Sequence, residues 1–127
     1  MIVVDTNLIL ALAVKTTESR LAETVARKDN EWIAPAIWES EFRNALMGFI
    51  RAGIIGHQTA VAAFKFAAET VQTQPVATAA VLRVAEANGI TAYDAEFAAL
   101  AEWLEIPCLS FDGHLLTPGL AVHPKDF

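Results

Sequence analysis

The order of its apolar segments constrains this chain more than any other feature, because short β-branched runs alternate with longer stretches of helical periodicity. Ile2–Val4 is the first such run, with no polar position, as suits a strand buried on both faces. It ends at Asp5-Thr6-Asn7, and residues 8–14 then read as a helix. A second helix is expected over residues 17–28, and Trp32–Ala34 is a second short strand. Pro35 opens the strongest helix, residues 36–52, which Gly53 ends. Ile37, Trp38, Phe42, Ala45, Leu46 and Phe49 form its apolar arc. Residues 58–73 read as one amphipathic helix with Val61, Phe64, Ala68 and Val71 inward, broken by Pro75. Residues 77–88 are helical up to Gly89, and Thr91 caps a helix running to Leu104. Pro107 precedes a third strand, residues 108–111. Asp112-Gly113 turns the chain, and residues 120–123 read as a last edge strand. Strands alternating with helices imply an α/β sandwich with a mainly parallel sheet, whose ligands bind at the carboxyl ends of the strands.

The 127 residues suit a single domain, 1–127, with no repeat, low-complexity tract or linker. Hydrophobic residues make up 54% and charged residues 19%, which excludes disorder. So apolar a chain carries more hydrophobic surface than a small monomer buries, and a homodimer is expected. Cys108 is the one cysteine, which rules out an internal disulfide and a cysteine-based zinc site and fits a reducing cytoplasm. Residues 8–14 are too short to span a membrane, and Asp5 precedes them where a signal peptide carries Lys or Arg.

Four acids stand out by position. Asp5 follows a buried strand, where Asp is also an ordinary helix cap. Asp112 ends the third strand before Gly113, where Asp-Gly is also a common turn. Asp94 follows Thr91 by three residues, close to a capping box. The face below it is Phe97, Ala98 and Ala101, so the side chain points along the buried side. Glu41 sits at the margin of the apolar arc of the long helix, near Ile37, Ala45 and Gly48, whereas Glu39 flanks the opposite margin. Asn44, one turn on, could orient Glu41. Gly48 weakens this helix by about 1 kcal/mol relative to Ala, which suggests a close approach on that side. Glu96 is a weaker competitor. Each acid has a local structural explanation except Glu41, which no helix requires.

Together they describe a site. Three acids lie at strand ends or helix starts on the ligand side of the sheet, and the fourth faces it from a helix. Clustered carboxylates repel one another, and hard cations such as Mg²⁺ or Mn²⁺ relieve the repulsion. Such ions polarise phosphodiesters, activate water and stabilise a leaving oxygen. The net charge of −6, from nine Lys+Arg against fifteen Asp+Glu, speaks against nucleic acid at first sight. Setting the four acids aside leaves nine against eleven, and bound cations would reverse the local sign. His57, His114 and His123 match no zinc-ligand spacing and read as surface or satisfied histidines. P-loop, G-x-G-x-x-G and G-x-S-x-G patterns are missing, so no nucleotide cofactor is expected. Trp32, Trp38 and Trp103 are core or interface residues before they are base-stacking ones. Arg43 and Arg51 read first as a solvated face of the Glu41 helix and second as phosphate contacts.

Asp5-Thr6-Asn7 after Ile2–Val4, then Pro35…Glu41-x-x-Asn44-x-Leu46, Tyr93-Asp94-Ala95…Ala98…Ala101 and Ser110-x-Asp112, together resemble the PIN-domain ribonucleases, above all the VapC-like toxins of bacterial toxin–antitoxin pairs. The resemblance covers the whole chain, with the motifs in order. It implies a three-layer α/β/α sandwich around a short, mainly parallel sheet. It also implies metal binding by Asp5, Asp94 and Asp112, with Glu41 a ligand through water or an orienter of the attacking water. Thr6 or Asn7 would support Asp5, and Ser110 would stand for the family's usual Thr. The implied activity is cytoplasmic, Mg²⁺- or Mn²⁺-dependent cleavage of RNA by a homodimer held inactive by a cognate antitoxin.

Two other readings exist. A catalytically silent scaffold binding protein or RNA would show its loss in a missing acid, and all four are present. A phosphoryl-transfer enzyme using Asp5 as nucleophile wants a second acid two residues on, where this chain has Asn7.

Overall fold

β1 (Ile2–Val4) lies inside a four-stranded sheet of order β3-β2-β1-β4, formed with β2 (Trp32–Ala34), β3 (Val71–Thr73) and β4 (Cys108–Leu109) in a computed structural model that describes Met1–Phe127. Every pairing is parallel: Ile2 faces Trp32, Val3 faces Ile33 and Cys108, and Val4 faces Leu109. The alternation of strand and helix thus yields the expected α/β sandwich. All residues of β1, β2 and β4 are buried, as their uninterrupted apolar runs require of strands covered on both faces.

Helices α1 (Thr6–Ala13), α2 (Ser19–Lys28), α3 (Ile37–Arg51) and α4 (His57–Thr70) pack on one another as one layer. On the other side α6 (Ala92–Leu104) packs against β1 and β4 and carries α5 (Thr78–Asn88) outside it. The main core joins the sheet to both layers. A smaller cluster, Val81, Val84, Ala95, Ala98, Ala99 and Leu115, seals α5 to α6 and to the short α7 (Gly113–Leu116). Trp38 stacks on Phe64 with centroids 5.6 Å apart, and Phe42 meets both rings edge-on. Gly53 and Gly89 end α3 and α5 at φ +73° and +62°, left-handed conformations that glycine adopts without penalty.

Five local expectations need correction. The helix expected over residues 58–73 stops at Thr70, and Val71–Thr73 instead forms β3, pairing in parallel with all of β2. Its inward face is Ala60, Ala63 and Ala67 with Phe64 beside them, while Val61 is exposed and Ala68 faces solvent. Alanines allow α4 to lie close to α1 and α3, which the larger side chains would prevent. Gly48 marks no close approach, since the space where a Cβ would sit is open. Asp112-Gly113 does not make a hairpin: Asp112 caps α7. The last edge strand shrinks to one parallel bridge, Leu109 to Val122, where Val122 N–H donates to the Cys108 carbonyl (2.8 Å) and Ser110 N–H to the Val122 carbonyl (3.2 Å). His123 meets the Phe111 ring edge-on, and Lys28 Nζ donates to the Phe127 carbonyl (2.7 Å). No helix is long and apolar enough to cross a membrane.

Candidate active site

β1 has β2 on one side and β4 on the other, so the chain's path diverges at its carboxyl end, where open α/β sheets place ligands. Asp5 stands at that point. It caps α1 through Oδ1, which accepts the Thr6 N–H (2.8 Å), and its Oδ2 accepts the Ser110 hydroxyl (2.6 Å). Its residue is only 6% exposed. Burial raises its pKa to about 6; the bonds from Ser110 and Thr6 oppose the rise, and the charges of Glu41 and Asp94 add to it.

Ser110, fully buried, is the hub. Besides donating to Asp5, its Oγ accepts the Asp112 N–H (2.9 Å) and lies 3.4 Å from the Asn7 amide nitrogen. Asn7 Oδ1 in turn accepts the Phe111 N–H (3.4 Å). One hydroxyl thereby ties the start of α1 to the loop after β4. Asp112 Oδ1 accepts the His114 N–H (2.9 Å), which is the capping bond of α7.

Glu41 reaches the same cluster from α3. Its Oε1 accepts the Thr6 hydroxyl (2.7 Å), so Thr6 serves Asp5 through its backbone and Glu41 through its side chain. Burial foremost raises the Glu41 pKa, with the charges of Asp94, Glu96 and Asp112 contributing. Glu39 instead pairs with Arg43 (3.6 Å) outside the cluster. Asn44 is exposed and makes no hydrogen bond to Glu41; Thr6 has the orienting role that spacing suggested for Asn44. At α6, Thr91 Oγ1 accepts the Asp94 N–H (3.1 Å), the forward half of a capping box. The Asp94 carboxylate approaches His114 Nδ1 at 3.8 Å. Its pKa is raised, first by burial and then by Asp112, with His114 acting in the opposite sense.

His114, read from the sequence as a surface or satisfied histidine, is exposed as expected but also stands beside two of the acids. Its Nδ1 lies 3.7 Å from Asp112 and 3.8 Å from Asp94, and one ligand atom from each of the three falls within 4.8 Å of the others. The only sequence signal was its position two residues after Asp112, which matches no zinc motif. Trp32 and Trp38 are buried and unavailable to bases, whereas Trp103 is 70% exposed. Arg43 lies over the Phe64 ring at 4.5 Å, so it packs as well as being solvated.

The PIN domain family model matches residues 2–117. The chain belongs to the PIN domain family. Solved PIN-like structures overlay closely on this domain. PAE2754 from Pyrobaculum aerophilum is 24% identical with a TM-score of 0.79, covering 98% of this chain and 84% of that one. VapC20 of Mycobacterium tuberculosis, a sarcin-ricin loop cleaving toxin, is 22% identical with a TM-score of 0.69 over 94% of this chain and 95% of that one. FitAcB from Neisseria gonorrhoeae is 20% identical with a TM-score of 0.65 over the full length of both chains. These identities establish the shared fold. No match was found among curated protein sequences. Within this PIN domain, Ser110 and Thr6 join Asp5, Asp112 and Glu41, and Asp94 approaches them beside His114.

Proposed function

We propose that this PIN domain is a metal-dependent endoribonuclease of the VapC type, the toxin of a toxin–antitoxin pair. The observation that carries the reading is the convergence of Asp5, Glu41, Asp94 and Asp112, where burial and mutual repulsion raise three of the four carboxyl pKa values. The donor set fits a hard divalent cation. Asp94 and Asp112 offer carboxylate oxygens at ligand spacing, with His114 beside them and Asp5 one step further in. Mg²⁺ or Mn²⁺ held by Asp5, Asp94 and Asp112 would neutralise the phosphodiester and stabilise charge on the leaving 3′-oxygen. Glu41 has one carboxylate oxygen committed to Thr6, which leaves Oε2 to accept a proton from the attacking water. Ser110 and Thr6 hold Asp5 and Glu41 so that neither reorganises during the reaction.

RNA as substrate, a cognate antitoxin covering the acidic pocket, a homodimeric state and a cytoplasmic location belong to the same reading. They are supported by the family and by the likeness to toxins and toxin–antitoxin complexes, including one from Klebsiella pneumoniae (13% identical, TM-score 0.70, 98% of each chain). Purified protein should cleave single-stranded RNA with Mg²⁺ or Mn²⁺ and not with EDTA, and Asp5→Asn should remove the activity. Undiminished cleavage by Asp5→Asn would defeat the assignment. Expression without an antitoxin should arrest growth.

A further inference from the structure

The acid cluster does not end at a wall. Asn7, which reaches Ser110 at 3.4 Å, also lines a cleft of about 270 Å³ between α1, the α1–α2 turn, α3 and the loop after β4. The half-buried rings of Phe49 and Phe111 and the side chain of Leu10 supply its apolar walls, and Asn7, Thr16 and Glu18 supply its polar ones. Thr16 also borders a second, polar cleft of about 600 Å³ beyond the end of α1, where Lys15 and Arg20 stand. Both cations are exposed and neither takes part in an ion pair. The first cleft thus shares Asn7 with the hydrogen-bonded surround of the acid cluster and Thr16 with the second cleft, so the three follow one another along α1. From Asn7 to the end of α1 at Ala13 is roughly 9 Å at the helical rise per residue, and Lys15 stands two residues further on, a span that a dinucleotide covers.

We infer that this path seats single-stranded RNA leaving the acid cluster, with one nucleobase between Phe49 and Phe111 and the next phosphate at Lys15 and Arg20. The inference rests on the ribonuclease reading of the acid cluster and adds to it where the strand runs. Aromatic walls suit a base, since every base presents a π-face. Glu18 accepts the Thr16 and Thr17 hydroxyls at Oε2 (3.3 and 2.9 Å), which leaves Oε1 for a group entering the first cleft. A carboxylate there repels phosphate and accepts from an N–H, so the cleft takes a base. Cytosine offers two N–H on its exocyclic amine, whereas the one imino N–H of uracil lies between two carbonyl oxygens that a carboxylate repels, so cytosine is favoured. Lys15 and Arg20, two cations against the one acid of the second cleft, Glu23, suit the phosphate that follows.

The test is a titration of isotope-labelled wild-type protein with short oligocytidylate and oligouridylate, followed by amide shifts, with affinities from fluorescence anisotropy at several salt concentrations. Neither readout depends on cleavage. Oligocytidylate should move the amides of Thr16, Phe49 and Phe111 and bind more tightly than oligouridylate. Phe111→Leu, which keeps an apolar side chain against His123, should weaken binding about tenfold. Glu18→Gln should erase the preference for cytosine. Lys15→Gln with Arg20→Gln should lower the salt slope by about 1.4, while Lys65→Gln should leave it unchanged. Shifts that avoid these amides, or that gather in the apolar groove of Met47, Val61 and Phe64 between α3 and α4, would overturn the inference. Metal-dependent cleavage by wild type, measured separately, tests the ribonuclease reading, so the two failures are distinguishable.

Discussion

Ser110 serves three neighbours with one hydroxyl: it donates to Asp5, accepts from the Asp112 N–H and lies within reach of Asn7. Ser110→Ala leaves a buried carboxylate and a backbone N–H short of a partner. It should cost about 1–3 kcal/mol in urea unfolding and cut turnover at least tenfold, while Ser110→Thr, which keeps the hydroxyl, should restore most of both. Thr6 is the matching device for Glu41. Thr6→Val should reduce kcat and displace the acid limb of its pH profile, and Thr6→Ser should not. Asp5 gives a stability prediction whose sign is fixed by its shift. Its folded pKa of about 6 exceeds the ordinary 3.8, so the folded state binds the proton more tightly. In EDTA the associated stability is fully present below about pH 4 and is lost as pH rises through 6, on the order of 3 kcal/mol. Denaturation midpoints of wild type should therefore fall more steeply between pH 4 and 7 than those of Asp5→Asn, and parallel curves would refute the coupling.

At the scale of elements, what could be read in the chain depended on whether neighbouring patterns were distinct. β1 and β2 were legible as apolar runs closed by Asp5 and Pro35, and β4 by the Pro107 before it, although it stops at Leu109, two residues short of the span expected. Val61, Phe64, Ala68 and Val71 fall at helical spacing by coincidence, so β3 was absorbed into the preceding helix. Sequence spacing alone carries no sign that Val71–Thr73 pairs with β2, or that Trp38 Nε1–H donates to Thr73 Oγ1 (2.9 Å). The four acids were legible from their places at strand ends and on a helix margin. Their wiring was not, because Ser110 and Thr6 bridge segments far apart in sequence, and His114 arrives only because Asp112 caps a helix and does not turn a hairpin. The two faces of α4 separate cleanly by mutation. Ala63→Leu should destabilise by about 1–3 kcal/mol through overpacking, whereas Val61→Ser should change stability by no more than about 0.5 kcal/mol, both measured by thermal or urea unfolding.

For the whole molecule, a bound divalent cation would relieve the same crowded charge that a proton does. Mg²⁺ or Mn²⁺ should raise the melting temperature at pH 7.5 and do little at pH 4.5, where Asp5 is already neutral; equal shifts at both would speak against a carboxylate site. Sedimentation at micromolar concentration should report a dimer, in keeping with the exposed Trp103, Leu82 and Val122. The bridge between Leu109 and Val122 has a wider consequence. It fastens the tail across the strand that leads into Ser110 and Asp112, with His123 against Phe111 and the Phe127 carbonyl held by Lys28. The tail contributes none of the four acids, yet it is the outer clasp of the loop that aligns two of the site's partners. Trimming residues 121–127 should thus leave a folded domain whose loop frays, seen as faster amide exchange at Ser110 and Asp112 than in the full-length domain.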